Sequence, residues 1–486
     1  MSGGWITDVL IIFPLGAALL VWLFPLPRVL AGSAALVAAF VELGFWIYST
    51  TRIEFHSEAM QLESRQVWFE DLGVSYHVGF RPFAVWLVGL TVVVMTAAIA
   101  YGFWVDRERP RAYFGLMLFL TGSIVGVFAA QDLLLFYVFW EAMLIPLYVL
   151  IGVWGGPGRM GATIKFVVYT MAGSLLMLAS IIVLGVQRGT FDTLDQHFTA
   201  SGSTWLFLGF AAAFAIKAPL FPLHGWLPDA YRESPAEISA VLSGVVSKAA
   251  AYGFLYFAIR IFPGPLADLR TAILSLAAVG LVYGSLLAFR APDIRGVIAY
   301  SSLAQLSLIV IGLFATNLAG WNGAILQMVN HGLISTTLFL LAGTIESRTE
   351  TGRLERLGGM ARGRPALATL LMTIGVIALA VPGSTAFAGE FAILVGIFAL
   401  GWGWAVVGAI AIVVAAMYML RLISAVLHRK PGPSVAESAR DLGGAELAIL
   451  IPLVACLLFL SVWPASITDR TFGDTRSIPA LRLIYR

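Results

Sequence analysis

The chain has a single cysteine, Cys456, in 486 residues. That excludes an internal disulfide, a cysteine-ligated iron–sulfur cluster and a Cys-based zinc site within it. Lysine is almost as scarce: of 30 basic residues only Lys165, Lys217, Lys248 and Lys430 are lysine. The six histidines are scattered, without the paired spacing of a zinc or haem site. There is no Gly-x-x-x-x-Gly-Lys-Ser/Thr loop, no dinucleotide fingerprint at a strand-to-helix turn and no His-Glu-x-x-His. Charged residues make up 12% and the net charge is +3, which is no basis for nucleic-acid binding. What is abundant is apolar surface. Hydrophobic residues reach 59% and mean hydropathy is +0.90, more than a soluble fold of this length could hide. The chain reads as an integral membrane protein, and its start lacks a basic n-region, so the first apolar segment is expected to stay as a helix.

About 20 apolar residues cross a bilayer as a helix, and fourteen such segments can be marked. They run 5–24, 29–48, 82–104, 113–130, 133–154, 162–186, 204–221, 236–259, 271–289, 294–314, 320–345, 366–398, 402–427 and 447–462. Their loops divide by parity. Odd loops hold Arg28, Arg107, Arg109, Arg111, Arg159, Arg232, Arg290, Arg295, Arg348, Arg353, Arg356, Arg362, Arg364, Arg429, Lys430 and Arg440, while even loops hold only Arg52, Arg65, Arg81, Arg188, Arg260 and Arg270. Positive charge marks the cytoplasmic side, so both termini are expected outside. The polar loop 49–81, with the alternating stretch Gln66-Val67-Trp68-Phe69, is expected to form a hairpin that covers the outer surface or makes contacts.

Two segments are interrupted alike, the seventh by Pro219 and Pro222, the twelfth by Pro382-Gly383. A proline frees helical carbonyls, which is tolerable at membrane depth only beside protein or a wet cavity. Each break has an ionisable neighbour, Lys217 or Glu390, and the two lie five segments apart. The expected architecture is therefore all-α and polytopic, with two inverted five-helix repeats and two broken helices. Residues 1–112 would hold helices one to three with the outer loop, 113–260 and 271–428 the repeats, and 429–486 a loop, helix fourteen and a tail.

Ionisable side chains inside spans are costly and mark ion paths. Glu141 is mid-helix, with no basic residue one turn away. Lys217 and Lys248 lie in neighbouring segments whose connection carries His224, Asp229, Arg232, Glu233 and Glu237. A carboxylate beside a desolvated lysine can exchange protons with it, which makes these three a candidate relay. His331, alone deep in a span, titrates nearest neutrality and is read as a proton carrier, as is Glu390. Lys165, in the first turn of its helix on the arginine-rich side, either snorkels to the interface or joins the relay. Glu42 lies outside both repeats and is expected in an ion pair or a contact with another subunit. Asp8, Asp132 and Arg421 are expected at interfaces.

These stretches resemble one family. Phe136-Tyr137-Val138-Phe139-Trp140-Glu141-Ala142-Met143-Leu144-Ile145-Pro146 through Trp154-Gly155-Gly156 looks like the fifth-helix motif of the antiporter-like subunits of respiratory complex I. Lys165-Phe166-Val167-Val168-Tyr169-Thr170-Met171-Ala172-Gly173-Ser174, Lys217-Ala218-Pro219 through Trp226-Leu227-Pro228, and His331-Gly332 continue the likeness, which covers all fourteen segments. The resemblance implies a membrane-arm subunit of a proton-pumping NADH:quinone oxidoreductase. Glu141 and Lys217 would form its input pair, Lys248 and His331 its central relay, and Glu390, where sister chains usually have lysine, its outlet. FMN, iron–sulfur clusters, NADH and quinone would belong to other subunits, with no cofactor in this chain. Flanking antiporter-like chains and the lipid of a cell membrane would be its partners. One departure stands out: the family's Ala-Tyr-Ser-Ser followed by x-x-His-Met-Gly here runs Ala299-Tyr300-Ser301-Ser302-Leu303-Ala304-Gln305-Leu306-Ser307. Glutamine takes up no proton at physiological pH, so bound water around Gln305, Ser301 and Ser302 would replace the histidine, or that step is dispensable. Three other readings share the composition: a Mrp-type cation/proton antiporter subunit, the membrane arm of a proton-pumping hydrogenase complex, and a scaffold.

Overall fold

A computed structural model describes residues 3–57, 59–194, 203–436 and 439–472; the expected tail beyond 472 lies outside them. Among these residues twelve helices are long and apolar enough to cross a membrane. They are α1 (Gly4–Leu23), α2 (Arg28–Thr50), α3 (Pro82–Val105), α4 (Pro110–Ala129), α5 (Leu133–Trp154), α6 (Arg159–Arg188), α8 (Ala236–Ile261), α9 (Pro263–Arg290), α10 (Ile294–Phe314), α11 (Leu318–Thr349), α13 (Trp402–His428) and α14 (Gly444–Val462). The two remaining spans are broken, as their prolines require. The seventh comprises α7a (Thr204–Lys217) and α7b (Leu227–Glu233), the twelfth α12a (Pro365–Ala378) and α12b (Thr385–Phe398). Counting each broken span once, the described residues agree with the expected number of about fourteen.

Several boundaries differ from the hydropathy reading because capping, not apolarity, ends a helix. α9 starts at Pro263, eight residues before the apolar run, since proline fits the first helical turn. α11 begins behind Asn317, whose side chain accepts from the Gly320 N–H. α7a stops at Lys217, short of Phe221.

The spans are not equally enclosed. The apolar cores of α8 and α11 are wholly buried, whereas only a third of α2 is. α11 packs along α12b, α9 along α10, and α6 along α7a. The buried helices carry polar side chains that no lipid-facing helix could, so the site lies in the protein's middle layer.

The expected hairpin is present as β1 (Gln61–Phe69) paired antiparallel with β2 (Val74–Phe80). It is fastened by side chains. Thr7 Oγ1 donates to Leu62 O at 2.7 Å, Tyr76 OH to Asp8 Oδ1 at 2.9 Å, and the Ser75 N–H to Asp132 Oδ2 at 3.0 Å. Asp132 was expected at an interface but is fully buried. The hairpin covers it, and its other oxygen caps α5 through the Leu134 and Leu135 N–H groups.

On the opposite, arginine-rich face the basic residues tie helices together as well as marking topology. Glu237, expected in a loop, sits fully buried in the first turn of α8 and takes a bidentate pair from Arg107 at 2.6 and 2.9 Å, with Tyr113 OH at 2.6 Å. Arg295 pairs with Glu346, and Arg348 with Glu446. Asp441, in the loop before α14, caps α12a by accepting from the Ala366 and Leu367 N–H groups at 2.9 and 3.0 Å. Partial burial pushes its pKa up, but these bonds, that from Leu442 and the Arg348 charge outweigh burial and hold it below the ordinary carboxylate value. A pKa depressed on folding contributes stability above the unfolded value of about 3.9 that is lost as pH falls. The thermal midpoint of the solubilised protein is therefore expected to drop on acidification below about pH 4, and Asp441→Asn to flatten that drop.

Candidate functional site

A buried polar cluster is built by α8, α10, α11 and α12b. α8 is not a regular helix. It widens into π turns at Leu242–Val246 and Phe254–Ala258, on either side of Lys248. In the first, the Ser247 N–H reaches back to Leu242 O, and Ser243 O accepts instead from Ser247 Oγ and the Lys248 ammonium. π turns cost helix geometry and recur at functional sites, because they turn carbonyls toward a ligand or a charge. Lys248 Nζ also lies 2.7 Å from His331 Nδ1 on α11. With lysine as donor, the imidazole hydrogen sits on Nε2. Ser243 Oγ meets Ser302 Oγ at 2.9 Å, which brings α10 into the cluster.

Glu390, on α12b, is reached through amides. Gln305 Nε2 donates to its Oε1 at 2.9 Å, Gln327 Nε2 to Gln305 Oε1 at 2.8 Å, and Asn330 Nδ2 to Gln327 Oε1 at 3.3 Å. The chain ends at the break itself. Asn330 donates to Thr385 O while Thr385 Oγ1 donates to Asn330 Oδ1, both at 2.7 Å. Ala380 and Gly383 turn the backbone there with positive φ, which costs glycine nothing. A cavity of about 20 Å³ lies between these groups, lined by His331, Gln305, Ser301 and Glu390 among others. That volume holds about one water. The cluster's two buried polar atoms without a partner are His331 Nε2 and Glu390 Oε2, and both residues line this cavity.

The first broken span is arranged differently. Lys217 ends α7a fully buried, with Nζ 4.0 Å from the centre of the Trp140 ring and 3.4 Å from Trp140 O. Glu141, the next residue, is half-buried, and no salt bridge within 4 Å closes between it and Lys217. Trp226 Nε1 occupies the carbonyl of Ile216 freed by the break. The sequence pairs are thus placed unequally: Lys248 and His331 touch, while Lys217 rests against Trp140, close enough to feel the Glu141 charge but without a salt bridge to it.

The secondary residues divide as well. Lys165 forms an ion pair with Asp229 at 2.7 Å, both side chains about 40% exposed, so it is anchored on the arginine-rich face. His224 packs between Phe221 and Tyr283 with Nδ1 unpartnered. Glu42 was expected in an ion pair or at a subunit contact. It is buried, and neither oxygen has a hydrogen-bond partner among the described residues. Because α2 turns this residue onto its buried face, the side chain reaches no surface. Gln327, Asn330 and Thr385 escaped the sequence reading. Their signal is the polar i, i+3, i+4 face Gln327, Asn330, His331 in an otherwise apolar helix.

This geometry has relatives. The profile of the family described as NADH:quinone oxidoreductase/Mrp antiporter, TM, matches residues 130–416, which include all five candidate relay residues. The chain belongs to this family. It is 37% identical over 426 residues to NADH-quinone oxidoreductase subunit M of Rhodobacter capsulatus, covering 84% of this chain and 83% of that protein. Its fold matches a chain of respiratory complex I from Thermus thermophilus with a TM-score of 0.89 and 29% identity over 98% of this chain and 99% of that one. It also matches a chain of the Mrp complex of Dietzia sp. with a TM-score of 0.86 at 20% identity, over 98% and 99%, a likeness of fold alone. The chain is accordingly a multi-pass membrane protein with the complex I antiporter-like fold.

Removing Asn330's side chain leaves Thr385 and Gln327 short of partners in a buried site. Asn330→Ala is expected to cost about 1–3 kcal/mol, read as a lowered thermal midpoint of the purified protein. The exposed pair Arg353–Glu355, 3.8 Å apart, is the control and is expected to cost little when Glu355 is replaced by Ala.

Proposed function

We propose that this chain is the M-type membrane-arm subunit of a proton-pumping NADH:quinone oxidoreductase, moving protons while electrons pass through other subunits. The observation that carries the reading is the buried Lys248–His331 contact of 2.7 Å, with Glu390 across a water-sized cavity. Two cations this close repel strongly in a low-dielectric interior, so the pair holds one excess proton and passes it on when a neighbouring charge changes. Glu141 and Lys217 receive the proton, Lys248 and His331 relay it, and Glu390 releases it. A water held in the cavity that His331 and Glu390 both line would complete the step that Gln305, unable to take up a proton, cannot perform.

In this reading helices four to eight and nine to thirteen are inverted repeats, residues 113–260 and 271–428, flanked by 1–112 and 429–486. The open arrangement around Trp140 is the resting state of the input. Coupling follows if a charge change elsewhere in the membrane arm brings Glu141 and Lys217 together or apart. FMN, iron–sulfur clusters, NADH and quinone belong to the other subunits, and the flanking chains are antiporter-like. The arginine-rich loops face the cytoplasm of a cell, with both termini outside. A Mrp-type antiporter shares this fold, and the co-purifying chains distinguish the two.

Glu141→Gln keeps shape but cannot exchange a proton. In the purified complex reconstituted into vesicles, it is expected to abolish coupled proton transport while preserving assembly. An assembled variant that pumps normally would falsify the relay.

A further inference from the structure

Beside α11, whose His331 belongs to the relay, and toward the face bearing the start of α1 and the end of α14, α2, α3, α11 and α14 enclose an apolar groove of about 380 Å³. Its walls include Leu90, Val93, Leu333 and Phe459, and it also borders Cys456. Three indoles frame it, Trp46, Trp86 and Trp463, with the Arg470 guanidinium at its edge. The frame is built. Trp46 Nε1 donates to Val85 O at 2.9 Å, and its ring packs against Gly89, where an added Cβ would come within 2.3 Å of it. Arg470 lies over the rings of Phe55 and Trp463 at 5.6 and 5.7 Å, and no acid pairs with it among the described residues.

We propose that this groove binds an anionic glycerophospholipid of the surrounding leaflet, with an acyl chain in the slot and its phosphate on Arg470. An apolar cavity of this size stays dry, and left empty it would forfeit the dispersion contacts of its whole lining. At this depth in a membrane, hydrocarbon is what fills it. Tryptophans gather at the headgroup level, which places the mouth of the groove beside the phosphates. A lipid tail gains no hydrophobic energy by leaving the bilayer for the slot, so the tail supplies fit and the headgroup supplies selection. One cation near an anionic headgroup is worth about a fivefold preference over a zwitterionic lipid.

The test uses the whole purified complex in nanodiscs. Phosphatidylglycerol and phosphatidylcholine, each with a diazirine in one acyl chain, are photolysed and adducts on α14 are mapped by mass spectrometry. Adducts at Ala455, Cys456 and Phe459 are expected about fivefold more often from phosphatidylglycerol. Arg470→Gln should equalise the two lipids, and Ala455→Trp, which fills the slot from an exposed position, should remove labelling there while Ile451 is still labelled. Equal labelling by both lipids in the unaltered protein, a preference that survives Arg470→Gln, or no labelling in the groove would overturn the assignment. None of these outcomes depends on the proton relay.

Discussion

A charge placed in hydrocarbon must be neutralised, paired or hydrated, and the whole middle of this protein is arranged to meet that demand at Lys248. Its side-chain nitrogen is answered by a serine carbonyl that a π turn makes available, by Ser247 and by the ring of His331. Each answer fixes something larger. The π turns decide the shape of α8, the histidine fixes the register of α11 against it, and Ser243 with Ser302 adds α10. No carboxylate is spent in this contact, so the cluster keeps its capacity to gain or lose a proton. A closed lysine–carboxylate pair would be more secure and less useful.

The second broken span meets the same demand by other means. Backbone freed near Pro382 is held from two neighbours, Asn330 on α11 and Ser461 on α14, which bonds the Thr385 N–H. The break and the carboxylate of Glu390 are therefore joined by one run of amides rather than by proximity in the chain. A displacement of α12b alters the donors around Glu390 directly, a connection between conformation and protonation that needs no distant pathway. At the first break the freed carbonyl goes to Trp226, and Lys217 rests on an aromatic face. A cation–ring contact is weaker than an ion pair and easily exchanged for one.

Much of this was legible in the residues. Composition showed the membrane class, and the prolines marked both breaks. Lys217, Lys248, His331 and Glu390 stood out because each is expensive where it lies. The hairpin was visible in the alternation before Trp68. Other features were not legible. Glu237 looked like a loop acid because its partner Arg107 is 130 positions away and its burial depends on α3 and α4. Asp132 looked interfacial because nothing local announces that a hairpin will cover it. Gln327 and Asn330 carry no charge, so a search for ionisable residues passes over them, although their spacing beside His331 was there to be read.

The residues by themselves determined which segments enter the bilayer, where helices cannot continue and which side chains need explaining, because hydration cost and backbone chemistry act locally. Which titratable groups meet was decided only by tertiary packing. Lys248 and His331 are 83 residues apart and touch, whereas Glu141 and Lys217, placed together by resemblance, are kept from contact beside Trp140. Electrostatic coupling falls off over a few ångströms in ways that sequence separation does not encode. The relay is a property of the packed helices, made from residues the chain supplies one at a time.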